Sequence, residues 1–255
     1  MKLRPGFFIV LGLLLAVAAG VWLYDWALGP TEEASEPIRA DPVLTDDAED
    51  TGSPELASGA RTTFEIVSES SEVRFIIFEE LRGEPVDVVG ISNQVAGQFL
   101  VDFASPANSR LGTIRINART FVTDEERRDR ATRNRILYTD DFEYITFVPE
   151  EISGLNGAIM EGEPVEFTVS GTLTIRDVSR PAVFEASLTL ASPDILLGAA
   201  RTTVSRRDFD LVVPNLPFIA NVADEVRLEF EGELRPLSAT TPSNLDAGHE
   251  PNSTE

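Results

Sequence analysis

"VEFTVSGTLTI", residues 165–175, decides the fold. Val165, Phe167, Val169, Gly171, Leu173 and Ile175 fall on one side of an extended chain, and Glu166, Thr168, Ser170, Thr172 and Thr174 on the other. Successive side chains of a strand point to opposite faces, so this alternation specifies a strand with one dry face and one wet one. "AVFEASLTL", 182–190, repeats it with Ala182, Phe184, Ala186, Leu188 and Leu190. "EVRLEFEGEL", 225–234, sets Val226, Leu228, Phe230 and Leu234 against Glu225, Arg227, Glu229, Glu231 and Glu233. Half-buried strands of this kind belong to antiparallel sheets.

Working outward, weaker strand signals lie at 64–67, 73–78, 86–89, 95–103, 112–118, 145–148 and 199–205. These ten segments, read as eight or nine strands in one acid-faced region, predict a barrel or a sandwich, and a barrel leaves no strand edge exposed. The folded region is expected at 61–236. Before it, 30–60 holds nine acids, one arginine and no aromatic residue, the composition of a disordered, solvated tether. As a coil of 31 residues its r.m.s. reach is roughly 30 Å. Residues 237–255 read as a disordered polar tail.

The N-terminal residues 1–29 read as a membrane anchor. Lys2 and Arg4 precede an uninterrupted small-or-apolar run from Phe7 to Leu23. As a helix these 17 residues span about 26 Å, enough for a hydrocarbon core. The cations hold that end in the cytoplasm, and Trp22, Tyr24 and Trp26 suit the far interface. Ala16-Val17-Ala18 also fits a cleavage site, the alternative of a removed signal peptide. Either way the folded region is expected outside the cytoplasm; with the anchor retained, it is held on the cytoplasmic membrane by a single pass.

Composition excludes several functions. Asp and Glu number 43 against 21 Lys and Arg, a net charge of -22 that repels phosphate backbones, so no nucleic-acid partner is expected. There is no cysteine, and the single histidine, His249, lies in the tail. A His-based triad or a zinc site has almost nothing to be built from. No HExxH, P-loop or GxGxxG pattern occurs, so no catalytic residue, metal ligand or required cofactor is assigned, and an enzyme is not expected.

One stretch reads as a helix. "RRDRATRNR", 127–135, packs five arginines into nine positions. Thr123 and Glu126 have capping-box spacing, and Asp124–Arg128, Glu126–Arg130 and Asp129–Arg133 are acid-before-base pairs at i, i+4. The arginines are therefore expected to be matched by acids on their own helix. Arg128 should meet Asp124, and Asp129 should pair with Arg133 or cap a nearby turn. Ala131, Ile136 and Leu137 suggest docking by the C-terminal end, as a lid across a barrel mouth.

"RTFVTDEERRDRATRNRILYTDDFEYITFVPEEI" followed by "FTVSGTLTIRDVSRPAVFEASLTL" resembles the YceI-like family of extracytoplasmic lipid-binding β-barrels. Matching features are the Arg128-Asp129 pair, Leu137 before "DDFEYITF", "SGTLTIRDVSRPAVFE" at 170–185, and a late "RRDFDL" at 206–211 before "ADEVRLEFEGEL". The chain departs from the family where a glycine common after the late Asp-Phe is Asp210. The resemblance implies an eight-stranded, lipocalin-like antiparallel barrel with one short helix and an apolar channel. It also implies a long-chain lipid partner, an isoprenoid or quinone-like amphiphile, as bound ligand.

On that reading the inward candidates are Phe75, Ile77, Phe99, Val101, Ile114, Ile116, Phe147, Phe167, Val169, Phe184 and Leu188, with Arg128, Asp129 and Leu137 as a structural motif. An eight-stranded barrel either fills with its own side chains or holds one small ligand. The alternative is therefore a filled barrel that presents loops to a protein partner, whose identity the sequence does not disclose.

Overall fold

The computed structural model describes residues 29, 32–35, 37–42, 61–213 and 219–237. The apolar run at 7–23, residues 43–60 of the tether and the tail beyond Leu237 lie outside the described residues, and so do those expectations. Among the described residues no helix is long and apolar enough to cross a membrane.

The strands are β1 (Arg61–Leu81), β2 (Glu84–Ser92), β3 (Val95–Ala96), β4 (Gln98–Asp102), β5 (Arg110–Leu111), β6 (Ile114–Asn117), β7 (Tyr144–Ser153), β8 (Pro164–Ile175), β9 (Val178–Ser192), β10 (Ile195–Ser205), β11 (Ile219–Ala220) and β12 (Glu225–Pro236). They form one antiparallel sheet in the order β3-β6-β7-β8-β9-β10-β12-β1-β4-β5, with β2 and β11 also on β1. β3 and β4 are separated by Gly97 alone, and β5 and β6 by Gly112 and Thr113. The two ends of the order therefore meet along the same stretch of chain, and the sheet curls around its apolar face. The all-β, antiparallel architecture with one short helix is the expected one. The strand segments number twelve among the described residues: Asn93–Gln94, Gly97 and Gly112–Thr113 interrupt ladders at places alternation alone does not reveal, and β11 adds a two-residue pairing to β1.

The stretches at 64–67 and 73–78 join into one strand. In β1 the buried positions are Phe64 and Ile66, then Ser71 and Val73, a change from even to odd. The register against β12 slips between Ile66 and Ser71, and such a bulge moves every later side chain to the other face. In β8, by contrast, Phe167, Val169, Gly171, Leu173 and Ile175 are all buried in unbroken alternation. Burying a Phe or Leu contributes about 1.5–3 kcal/mol each, so one strand of this kind supplies much of the core. Gly171 has a separate reason: a Cβ there would collide with the Val148 carbonyl oxygen and lie 2.9 Å from the Phe147 ring.

Tight turns close the hairpins. Arg82 and Gly83 both have positive φ, 56° and 89°, the combination a two-residue turn needs to match the strand twist. Between β6 and β7 the chain forms α1 (Glu126–Ala131), continued by a π-helical turn, Thr132–Leu137. The expected capping box does not form. Glu125 is the N-cap, and its carboxylate accepts from the amides of Arg127 (3.3 Å) and Arg128 (3.2 Å). Thr123 is engaged instead by Asp129, whose Oδ1 accepts from its amide (2.7 Å) and hydroxyl (2.6 Å).

Candidate functional site

The curled sheet encloses a cavity of about 930 Å³. Its wall comes from the inward positions of successive strands: Phe75 and Ile77 of β1, Phe99 of β4, Ile114 and Ile116 of β6, and Phe147 of β7. Phe167 and Val169 of β8 and Phe184 and Leu188 of β9 complete it. Ten of the eleven expected lining residues thus face one space. Val101 does not. It follows Phe99 on the same face but is wholly buried next to the end of β4, and Phe64 and Phe103 pack their rings 6.2 Å apart near that end. Elsewhere rings pack edge to face, Phe147 on Phe184 at 4.8 Å and Phe75 on Phe121 at 5.3 Å, a geometry that aromatic quadrupoles favour.

The helical segment covers one end of this space. Ala131, Ile136 and Leu137 line the cavity from it, together with Thr132, Arg127 and Arg128. Periodicity on the strands had no means of indicating the charged part of the lining, which also includes Glu79, Arg82, Glu125 and Arg206. Glu79 is 5% exposed and is met by Arg128 Nη2 at 3.2 Å, while Arg128 Nη1 meets Asp124 as expected. A buried carboxylate needs such a cation beside it. Asp129 is buried and serves as the acceptor for Thr123, a cap on the turn before α1. Leu137 is buried at the cavity end.

Three further arginines at this end bind irregular backbone. Arg133 Nη1 donates to the carbonyls of Arg119 and Phe121, both at 3.3 Å. Arg176, itself at φ 58°, donates to the carbonyls of Ile136 (3.4 Å) and Asp210 (3.3 Å) and lies 5.0 Å over the Tyr138 ring. Arg206 donates to Ala223 and Leu211 carbonyls, each at 2.9 Å. Carbonyls outside regular ladders need donors when buried, and a guanidinium carries five. Arg128 and Arg133 of the cluster, with Arg176 and Arg206 from outside it, therefore fasten the helical end to the turns around it.

A second ionic centre lies under that end. Arg119, buried in the turn after β6, donates Nε to Thr139 O (3.0 Å), and Nη1 approaches Glu143 at 3.2 Å. Asn117 Nδ2 donates to Glu143 at 2.9 Å. The described part of the acidic segment runs against this pair. Arg119 reaches Glu33 O (3.0 Å), Ser35 Oγ (3.1 Å) and Glu32 Oε2 (3.0 Å), and the Ser35 amide and hydroxyl donate to Glu143 at 2.8 and 2.5 Å. Burial pushes the Glu143 carboxyl up, but the Ser35 hydroxyl and amide, Asn117 and Arg119 together hold it below its ordinary range. Among the described residues no group of acids or histidine could hold a metal ion.

A curled antiparallel sheet with a ligand-sized apolar cavity, covered at one end by a helical segment, defines a class of fold that suits enclosing an apolar molecule. The YceI-like domain model matches residues 64–234, and the chain belongs to that family. Among solved structures, a polyisoprenoid-binding domain from Saccharophagus degradans implicated in plant cell wall breakdown is similar at TM-score 0.54 and 13% identity, over 70% of this chain and 100% of that one. Burkholderia cenocepacia BcnA is similar at TM-score 0.53 and 16% identity, over 66% of this chain and 98% of that one. At these identities the likeness is one of fold. No curated protein matches the sequence.

Proposed function

We propose that this chain is an extracytoplasmic binding protein, tethered to the cytoplasmic membrane by its N-terminal apolar run, that holds one long-chain amphiphile in its cavity. An isoprenoid or quinone-type lipid is the cargo the site suits best. The cavity carries the reading: about 930 Å³ of space walled mainly by aliphatic and aromatic side chains, with charged groups gathered at the helical end, at the upper end of the ligand-pocket range. Each buried CH₂ of a chain contributes about 0.8 kcal/mol, so a few isoprene units bind tightly without a polar contact. On this proposal β2–β4, broken at Asn93–Gln94 and Gly97, count as one strand, β5–β6 as another and β11 as a short addition to β1, which makes the sheet an eight-stranded barrel. A barrel of that size has room for one small ligand where its side chains do not fill it. Membership of the family and the likeness to the polyisoprenoid-binding domain from Saccharophagus degradans support the cargo class.

The test is mass spectrometry of full-length protein purified gently from membranes, with thermal unfolding of the delipidated form. A co-purifying isoprenoid or quinone is expected, and cargo at a hundredfold excess over Kd should stabilise by about 2.7 kcal/mol. Phe99→Trp should direct its extra volume into the cavity, lowering lipid content while costing under about 1 kcal/mol, less than the 1–3 usual for overpacking a full core. A protein with no cargo, no stabilisation by added lipid and a Phe99→Trp variant destabilised like a filled core would favour the loop-presenting interaction module.

A further inference from the structure

Gly29 is only six residues past Leu23, where the apolar run ends. Its carbonyl accepts from Asn134 Nδ2 in the helical segment, at 3.4 Å. Glu32, Glu33 and Ser35 follow it into the Arg119–Glu143 centre, and Asp41 meets Arg115 at 3.5 Å. Six residues span at most about 21 Å when fully extended. The helical end of the domain is therefore kept within that distance of the end of the apolar run, inside the roughly 30 Å r.m.s. reach of the whole segment as a free coil.

The same end exposes apolar side chains. Val122 (51%) precedes α1, and Tyr138 (43%) ends the helical segment. Val212 (71%) follows Asp210, which Arg176 ties to Ile136, and Phe78 (42%) adjoins Glu79, the partner of Arg128. The opposite end offers Met160, Leu197 and Leu237, and Val148 and Val183 stand apart on the outer wall. Acids lie among the arginines of the helical end, Asp124, Glu125, Asp140 and Asp224 among them, and the whole chain stands at -22. Charge attraction to anionic lipid is not what this face is built for.

We infer that the domain docks on the bilayer by its helical end, with Gly29 and residues 32–35 acting as a short strap that holds the cavity mouth at the lipid surface. This rests on the membrane-tethered reading above. The partner is the interfacial layer of the bilayer in which the chain's own apolar run is inserted, met by Val122, Tyr138, Val212 and Phe78. Cargo then passes between bilayer and cavity without crossing bulk water.

The chain has no cysteine, so a nitroxide can be placed uniquely on full-length protein in phosphatidylcholine vesicles. Val212→Cys labels the helical end and Met160→Cys the opposite one. The label at 212 should collide severalfold more with dissolved oxygen, relative to a water-soluble nickel chelate, than the label at 160, and high salt should not change this. Glu32→Ala combined with Ser35→Pro removes strap contacts outside the sheet. It should leave the thermal transition of the domain in place and bring the 212 label toward the 160 value, while the protein still sediments with carbonate-washed membranes. Equal, aqueous labels in a protein that withstands the carbonate wash would overturn the docking and leave the anchor standing. Release of the unmodified chain by carbonate would overturn the tethered reading, and the docking with it. A 212 label that stays deep in the strap variant would mean that the face docks without the strap.

Discussion

The wall of the curled sheet and its helical end are built by different physics. Along β8 and β9 the chain needs only alternation: Phe167, Val169, Leu173 and Ile175 turn inward, Thr168, Thr172 and Thr174 outward, and backbone ladders satisfy every strand in the same way. At the helical end no such repeat exists. There Arg119, Arg128, Arg133, Arg176 and Arg206 donate to carboxylates and to carbonyls that ladders do not reach. The wall tolerates exchange of one apolar residue for another of similar volume, whereas the end depends on individual donors and acceptors.

The largest effect should come from breaking that end. Arg128→Ala leaves Glu79 buried without its cation and should destabilise by about 3 kcal/mol, whereas Asp124→Ala, on the exposed partner of the same arginine, should change little. Chemical unfolding of both variants checks it, and equal costs would mean that the buried pair has no special weight. Gly171→Ala tests the wall. Its Cβ meets the Val148 carbonyl, so β7 and β8 must separate locally, for about 2 kcal/mol, and cargo content should fall with the shifted Phe147.

A smaller effect follows acidification of the strap. The Glu143 carboxyl is held below its ordinary 4.5, so its contribution is complete above that value and disappears as pH falls through the lowered one. Amide exchange at 32–35 should therefore accelerate in acid before the strands of the wall do. Asp210→Gly should have the smallest effect. Asp210 has φ 53°, a left-handed conformation that costs other residues more than glycine, so the variant should gain about 0.5 kcal/mol. A loss there would show that Asp210 makes up for its backbone through its side chain.

The same contrast sets how much was legible in the sequence. The alternating faces of β8, β9 and β12 placed Phe167, Val169, Phe184 and Leu188 on the inner surface before any coordinates, because a period of two has a single structural meaning. β1 was harder, since its bulge inverts the faces and nothing between Ile66 and Ser71 announces that. Val101 was misplaced because alternation tells inward from outward but not how far along the barrel the open space extends. Thr123 and Glu126 had the spacing of a cap, yet Asp129 engages Thr123 and Glu125 takes over the helix end. The strap was invisible for a plainer reason. Ser35 and Glu143 are 108 residues apart, and an acidic stretch reads as solvated until its buried arginine is located.

The pairing of β1 with β12 sets an order of events in time. Phe64, near the start of the domain, lies opposite Pro236, at its end, so the first strand synthesised must wait for the last. Closure therefore joins the most distant parts of the chain, and topologies dominated by such pairs fold slowly. Until residue 236 is available, one edge of β1 stays open, and a chain in that state is prone to pairing with its neighbours. Folding of this domain therefore waits on the whole of it, and its yield in a cell should respond more to holding chaperones than to any change in the stability of the finished sheet.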